Sequence, residues 1–306
     1  MSLNSTFADM QQKPFQSVLL LAILAFTWGS SFILMKLGLE APDGSPVFSP
    51  YQVAAMRMSF AFWVMLPFAV YYLPRIPKEN FLPLILVGMC GNAIPAFMFT
   101  TAEMHLAPSL AGMLNSTTPL FTVIIAALVF KNKFSRANYL GLALGIAGSA
   151  GLMLSRGTDE FYGEAAYAGL ILIATFCYAI SVNTIRNYLT GIHPLGVTSV
   201  SFFFFGVPLS IYLFTTDFVS IAQTHPHGYS SLGYIVLLAV FGTAIAVILF
   251  NYLVRITSAV YASTVTYLIP ITAIFWGFMR SEVINIWHFL FMSVILTGVY
   301  LINRKG

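Results

Sequence analysis

The sequence predicts an all-α integral membrane protein with ten transmembrane helices, arranged as two inverted five-helix repeats. Three observations support this prediction. Of the 306 residues, 58% are hydrophobic and only 8% are charged, which is too few charges to cover a soluble domain of this size. The apolar residues form ten segments of roughly 20 residues, the length that crosses a bilayer. Two of these segments resemble each other at a separation of 151 residues.

The ten predicted spans are helices, because an open strand cannot satisfy its backbone hydrogen bonds in lipid. The connections are short, so they leave no room for a soluble domain. The spans run Ser17 to Lys36, Tyr51 to Leu73, Phe81 to Thr101, Ala107 to Phe130, Ala137 to Ser155, Ala165 to Arg186, Leu195 to Phe214, Ser231 to Leu253, Ser258 to Met279 and Asn285 to Asn303. They divide the chain into an N-terminal segment (1–16), a first repeat (17–155) and a second repeat (165–303).

The two repeats align in several spans. Pro119 and Pro270 lie near the middle of the fourth and ninth spans, 151 residues apart, and the run GNAI that starts at Gly91 matches GTAI at Gly242 with the same offset. In the first and sixth spans, Trp28 aligns with Tyr178 at an offset of 150. Because five spans are an odd number, the second repeat must enter the membrane from the opposite side.

The distribution of Lys and Arg predicts the orientation in the membrane. With the N-terminus inside, ten of these residues lie in inner segments and three in outer segments. Both termini are therefore predicted to be cytoplasmic. Lys131 in an inner loop aligns with Glu282 in an outer loop, as inverted repeats require.

A proline inside a membrane helix leaves a carbonyl one turn earlier without its partner, and hydrocarbon cannot satisfy that carbonyl. Such helices occur where protein or a water-filled cavity supplies the missing partner. We therefore predict helix kinks at Pro119 and Pro270, and a substrate path near the bilayer midplane between the repeats. The first, third and fourth spans are expected to line this path, together with the sixth, eighth and ninth.

Polar and aromatic side chains deep in the spans are the candidates for lining the path, because in hydrocarbon they must face another helix or a cavity. For the hydroxyl and amide side chains the alternative is an interhelical hydrogen bond, and for the two aligned aromatic residues it is packing in the core. The candidates are Trp28, Ser31, Arg57, Asn92, Asn115, Thr118, Tyr178, Asn183, Asn251, Thr266 and Tyr267.

Four charged residues are candidates for binding, coupling or gating. Arg57 lies about two turns into the second span; it could make a structural or gating contact, bind an anionic group of the substrate, or reach the outer interface. Glu103, near the outer end of the third span, could pair with Arg57, titrate during transport, or lie in a loop. Lys36 and Arg186 end the first span of each repeat, where they could extend to opposite membrane faces or act in gating.

Small residues recur in the fifth predicted span, at Gly141, Gly145 and Gly148. A helix with such a stripe allows a second helix to approach closely. We expect that second helix to be the tenth span, which contains Gly298; a homodimer face is the alternative.

Three stretches of the chain match a known family: FTWGSSFILMK, VAAMRMSF and AEMHLAPSLAGMLNSTTPLFTVIIAALVF. Through them the chain resembles, over essentially its whole length, the EamA-type transporters of the drug/metabolite transporter superfamily. The resemblance implies a ten-helix carrier in the bacterial cytoplasmic (inner) membrane with both termini cytoplasmic, which usually moves amino acids, related metabolites or drugs outward. The chain departs from the family at the end of the fourth span, where Phe130 and Lys131 replace the common Gly-Glu.

These features predict an inner-membrane secondary transporter of small metabolites, most simply an exporter of amino acids or related compounds by alternating access. An importer or exchanger of another metabolite or drug has the same architecture and remains an alternative. A membrane-embedded lipid-modifying enzyme is the alternative from another class, but it needs clustered His, Asp or Glu at the membrane surface; the chain is not expected to be an enzyme. The expected partners are a small-molecule substrate and the lipid bilayer, with no nucleic acid, cofactor or metal. The oligomeric state stays open, a monomer included.

Overall fold

The computed structural model describes residues 14–131, 136–154, 158–257, 261–262, 265–280 and 285–303. This part of the chain is helical and contains no β-strand. Glu282, which the sequence aligned with Lys131, lies outside the described residues. The long helices are α1 (Pro14–Leu39), α2 (Pro50–Tyr72), α3 (Phe81–Gly88, Met89–Ala93 and Ile94–Ala102), α4 (Pro108–Asn115 and Thr118–Leu128), α5 (Arg136–Leu154), α6 (Thr158–Tyr188), α7 (Pro194–Phe214), α8 (Gly228–Leu237, Leu238–Ile245 and Ala246–Ile256), α9 (Val265–Met279) and α10 (Ile286–Asn303).

Within the described residues, seven helices are long and apolar enough to cross a membrane: α1 to α4, α6, α7 and α8. Three shorter apolar helices accompany them, at Tyr139–Gly148 within α5, at Val265–Met279, and at Ile286–Gly298 within α10. The chain is therefore an all-helical membrane protein.

Two polar stretches that the sequence assigned to connections are partly helical. Helix α6 begins at Thr158, earlier than the span start predicted at Ala165. A short helix at Phe218–Thr224 lies between α7 and α8. The prediction followed apolar length alone, and a helix that continues beyond the hydrocarbon has no need of apolar residues, because water can solvate its surface.

Helix α4 is interrupted near Pro119. The proline lies in the first turn of its second segment, where the missing N–H would have no helical partner. The hydroxyls of Ser116, Thr117 and Thr118 each donate to the carbonyl three residues earlier, at 2.6, 2.8 and 2.8 Å. The bond from Thr118 supplies the donor that Pro119 cannot give to the carbonyl four residues earlier, and the other two bonds add to backbone bonds that their carbonyls already accept. Pro270, in contrast, lies inside α9.

Helices α2 and α7, which occupy equivalent places in the two repeats, pack side by side in opposite directions. Gly206 of α7 approaches Phe62 of α2, and Gly196, ten residues earlier in α7, approaches Tyr72, ten residues later in α2. Later positions in α7 therefore contact earlier positions in α2, so the two helices are antiparallel.

Helices α5 and α10 form a second antiparallel pair. A methyl group on Gly298 of α10 would lie 2.5 Å from the backbone oxygen of Gly141, and one on Gly151 of α5 would overlap the ring of Phe291. The close approach that the glycine stripe of the fifth span predicted is thus made within the chain, to α10.

Further helix contacts come in equivalent pairs: each of these contacts has a counterpart in which every helix is replaced by its equivalent in the other repeat. Helix α1 packs against α8 and α9, and its counterpart α6 packs against α3 and α4. Helix α2 packs against α8, and its counterpart α7 against α3. The helices that carry most of the deep polar residues therefore meet at the boundary between the two repeats.

Replacing Gly298 with alanine should destabilise the protein by about 1–3 kcal/mol, the usual cost of overpacking. The atom that the new methyl group meets belongs to the α5 backbone, which can move only if the two helices separate. Thermal unfolding of the purified protein in detergent measures the effect. Gly169→Ala in α6 is the control, because no described residue of another helix lies within 4 Å of the added methyl, and alanine favours a helix. Equal midpoints for the two variants would contradict the α5–α10 packing.

Candidate functional site

A cavity of about 120 Å³ lies where the two repeats meet. A cavity needs about 10–15 Å³ to hold one water molecule, so this one has room for several. Its wall is formed by α1, α3 and α4, by α6, α8 and α9, and by Arg57 from α2. The wall is mainly apolar and carries a few polar groups, as is typical of small-molecule sites.

Nine of the eleven residues predicted to line a path lie in this wall. They are Trp28, Ser31, Arg57, Asn92, Asn115, Thr118, Tyr178, Asn251 and Thr266. The other two lie elsewhere. Asn183 is buried in α6, and its Nδ2 donates to the carbonyls of Thr122 and Ala179 at 3.0 and 2.9 Å, which ties α6 to α4. Tyr267 packs against a buried apolar cluster.

Two π-helical segments border the cavity at equivalent places in the repeats. They are Met89–Ala93 in α3 and Leu238–Ile245 in α8. A π-helical segment widens the turn and is frequently found at functional sites. One of its carbonyls is used by a cavity residue, since Nε1 of Trp28 donates to the Gly242 carbonyl at 3.1 Å.

Arg57 enters the cavity wall from α2 and is held by α8 and α1. Its Nε donates to Oγ1 of Thr243 at 2.8 Å, and its Nη1 donates to Sδ of Met35 at 3.6 Å. Thr243 is free to accept because its own hydroxyl donates to the Leu238 carbonyl at 3.1 Å, within the π-helical segment. A guanidinium has five N–H groups. Three of them therefore make no hydrogen bond to the described part of the chain.

Aromatic pairs from both repeats also line the cavity. The rings of Phe99 and Tyr178 are 6.1 Å apart, and those of Phe250 and Trp28 are 5.2 Å apart. Exchanging the repeats converts one pair into the other, because Phe99 aligns with Phe250 and Trp28 with Tyr178. The same exchange relates two close glycine–serine contacts, Gly91 with Ser181 and Gly242 with Ser31.

Lys36 and Glu103 connect the ends of α1 and α3. Nζ of Lys36 donates to Oε1 of Glu40 at 2.7 Å and to the backbone oxygen of Glu103 at 2.9 Å. Glu103 is fully buried, in the turn that follows the end of α3. Arg186 is exposed and does not contribute to the cavity wall.

Sequence reasoning missed Thr243, the residue that orients Arg57. A signal was present, since Thr243 aligns with Asn92 in the GNAI and GTAI match and Asn92 was already a candidate. Met35 and Phe250 were missed because apolar side chains are equally common in cores and in cavity walls. Only the packing of the helices distinguishes the two.

The model of the EamA-like transporter family matches the chain twice, at residues 16–154 and 166–304. The uncharacterized inner membrane transporter YedA of Escherichia coli is 29% identical over 286 residues, covering 92% of this chain and 88% of the relative. A probable terminal-alkyne amino-acid exporter of Streptantibioticus cattleyicolor is 23% identical over 298 residues, covering 95% and 94%. A solved crystal structure aligns with a TM-score of 0.61 over 94% of this chain and 96% of that chain, at 13% identity, a likeness of fold alone.

Ser31→Cys in the cavity wall should react with a small, membrane-impermeant thiol reagent at least about tenfold faster than Ser199→Cys, because a thiol reacts only where water and reagent reach it. Ser199 is also buried, in α7, but lies outside the cavity wall. Both variants are made after Cys90 and Cys177 are replaced by alanine, and labelling is followed by mass spectrometry. Equal rates would show that water does not enter the cavity.

Proposed function

Because the chain belongs to the EamA-like transporter family, we propose that it exports amino acids or related small metabolites by alternating access. It is a membrane transporter of the drug/metabolite transporter superfamily, and its relatives are named transporters rather than enzymes. The observation that carries the finer proposal is the cavity between the repeats. It is walled by equivalent helices of both repeats and has a volume of about 120 Å³, which suits a small molecule.

The packing of equivalent helices supports ten spans in two inverted repeats, 17–155 and 165–303. A two-fold axis along the membrane normal would make two equivalent neighbouring helices parallel, whereas an axis in the membrane plane makes them antiparallel. Both α2 with α7 and α5 with α10 are antiparallel. Two inverted halves of one chain can exchange conformations, and that exchange moves the opening of the cavity from one membrane face to the other.

Irregular segments or prolines in four cavity helices supply the places where these helices bend during the exchange. Helices α3 and α8 carry the π-helical segments, α4 is interrupted before Pro119, and α9 contains Pro270. The two pairs are equivalent under the exchange of repeats. Lys36 and Glu103 would gate one end of the cavity, since their hydrogen bond joins α1 to α3 and must break when these helices part.

The location and direction of transport follow from charge and from the relatives. We place the protein in the bacterial inner membrane as a multi-pass protein with both termini cytoplasmic, because Lys and Arg concentrate in the inner segments. The Escherichia coli relative is named an inner membrane transporter, which supports the membrane. The name of the Streptantibioticus relative, an amino-acid exporter, supports both the substrate class and the outward direction. The partners are the substrate and the surrounding lipid.

Purified protein in proteoliposomes tests this function. Vesicles loaded with a labelled mixture of amino acids should release label only when the protein is present, and the released compounds should be chemically unchanged. Release without chemical change excludes the lipid-modifying enzyme. Faster flux in the direction that corresponds to export favours the exporter. Flux that requires substrate on the opposite side of the membrane favours the exchanger. No flux of any amino acid contradicts the proposal.

Arg57→Ala should reduce flux at least about tenfold, because a lost charge-assisted hydrogen bond is worth about 1.5–3 kcal/mol and each 1.4 kcal/mol is a factor of ten. The amount of protein in the membrane should stay unchanged, which immunoblotting of the proteoliposomes checks. Arg75→Ala is the matched control, since Arg75 is exposed beyond the end of α2. Unchanged flux in Arg57→Ala would remove Arg57 from the site.

A further inference from the structure

We propose that the cavity selects a zwitterion, holding the substrate carboxylate on Arg57 and the substrate ammonium on the side-chain oxygen of Asn115. This inference rests on the proposed function and deepens it, because it names the two residues that recognise the charges of the substrate. It is carried by unused hydrogen-bonding groups of opposite kind on one cavity wall.

The donor side of the site is the guanidinium of Arg57. Its bonds to Thr243 and Met35 use two of the N–H groups, and the remaining three lie on the two terminal nitrogens. Paired N–H groups of this kind fit a carboxylate with two parallel hydrogen bonds. The Thr243 bond fixes the plane of the guanidinium, so the site is oriented before the substrate arrives.

The acceptor side of the site is Asn115. Its side chain is 6% exposed, and its Oδ1 is buried without a hydrogen-bond donor in the described part of the chain. A buried acceptor without a partner costs about 1–3 kcal/mol. A substrate N–H group in the cavity would supply the missing donor, and an ammonium would supply it with a favourable charge.

Arg57 and Asn115 lie in the wall of the same cavity of about 120 Å³. Gly112 of α4 approaches Phe32 of α1, and Gly242 of α8 approaches the neighbouring Ser31. The segments of α4 and α8 next to Asn115 and to the partner of Arg57 therefore both contact the same turn of α1, so one small substrate can meet both groups.

Asn251 in the same wall also has a buried Oδ1 without a donor in the described part of the chain. It is eight residues beyond Thr243 on α8, on the order of 12 Å at the helical rise, so it lies further from the Arg57–Thr243 bond than one α-carbon spans. Its Nδ2 donates to Thr198 at 2.8 Å.

The binding test uses purified full-length protein in detergent and equilibrium dialysis of labelled leucine. Three compounds compete: leucine, its methyl ester, which lacks the carboxylate charge, and 4-methylpentanoate, which lacks the ammonium. We expect the ester and the acid to compete at least about tenfold more weakly than leucine, because each leaves one buried group without its partner. A mixture of the twenty common amino acids is assayed as a further competitor. If neither unlabelled leucine nor this mixture displaces the bound label, the proposal is overturned.

Two variants separate the two contacts. Arg57→Gln should bring the ratio between leucine and its ester to about one while leucine still exceeds 4-methylpentanoate, since only the carboxylate contact is lost. Asn115→Leu should bring the ratio between leucine and 4-methylpentanoate to about one while leucine still exceeds its ester, since only the ammonium contact is lost. Asn187→Leu, on the part of α6 outside the cavity wall, is the matched control and should keep both ratios. A merely structural role for Arg57 or Asn115 would change both ratios together or neither.

The result distinguishes this inference from the proposed function. If the proteoliposomes transport a compound that lacks either charge as well as they transport leucine, the protein is a transporter but the zwitterion site is wrong. If both ratios persist in Arg57→Gln and Asn115→Leu, other residues recognise the charges, and the inference fails while the transport function stands. If no compound crosses the membrane, the proposed function itself fails.

Discussion

Charges and backbone polar groups in the hydrocarbon of the membrane need partners, and the hydrogen bonds from Arg57 to Thr243 and from Thr243 to the Leu238 carbonyl supply part of them. The π-helical segment in α8 places the Thr243 hydroxyl against a backbone carbonyl five residues earlier. That hydroxyl can then accept from Arg57. One irregularity in a helix thus holds a charged side chain at the cavity and fixes its orientation.

The same requirement explains why some polar groups of the cavity lie where the helices are irregular. In α4 the Thr118 hydroxyl donates to the carbonyl that Pro119 leaves without an N–H, and at the π-helical segment of α8 the Gly242 carbonyl accepts from the Trp28 indole. Regular helix satisfies its own backbone. At these two places the polar groups of the cavity and the proposed bending points coincide.

Much of the fold was readable from the sequence, because apolar length, loop charge and a 151-residue offset are properties of the chain itself. They gave the helical class, the repeat and nine of the residues in the cavity wall. They did not give the π-helical segments, because a widened turn has no residue signature of its own. Asn183 was predicted to line the path because a polar side chain deep in a span needs a partner. Only the packing of α6 against α4 shows that the Thr122 carbonyl is that partner.

The contact between Gly298 and Gly141 has a consequence for biosynthesis. The ribosome makes α5 long before α10, so the glycine surface of α5 stays without its partner helix until α10 has been made. Synthesis of α10 is thus the event that closes this groove.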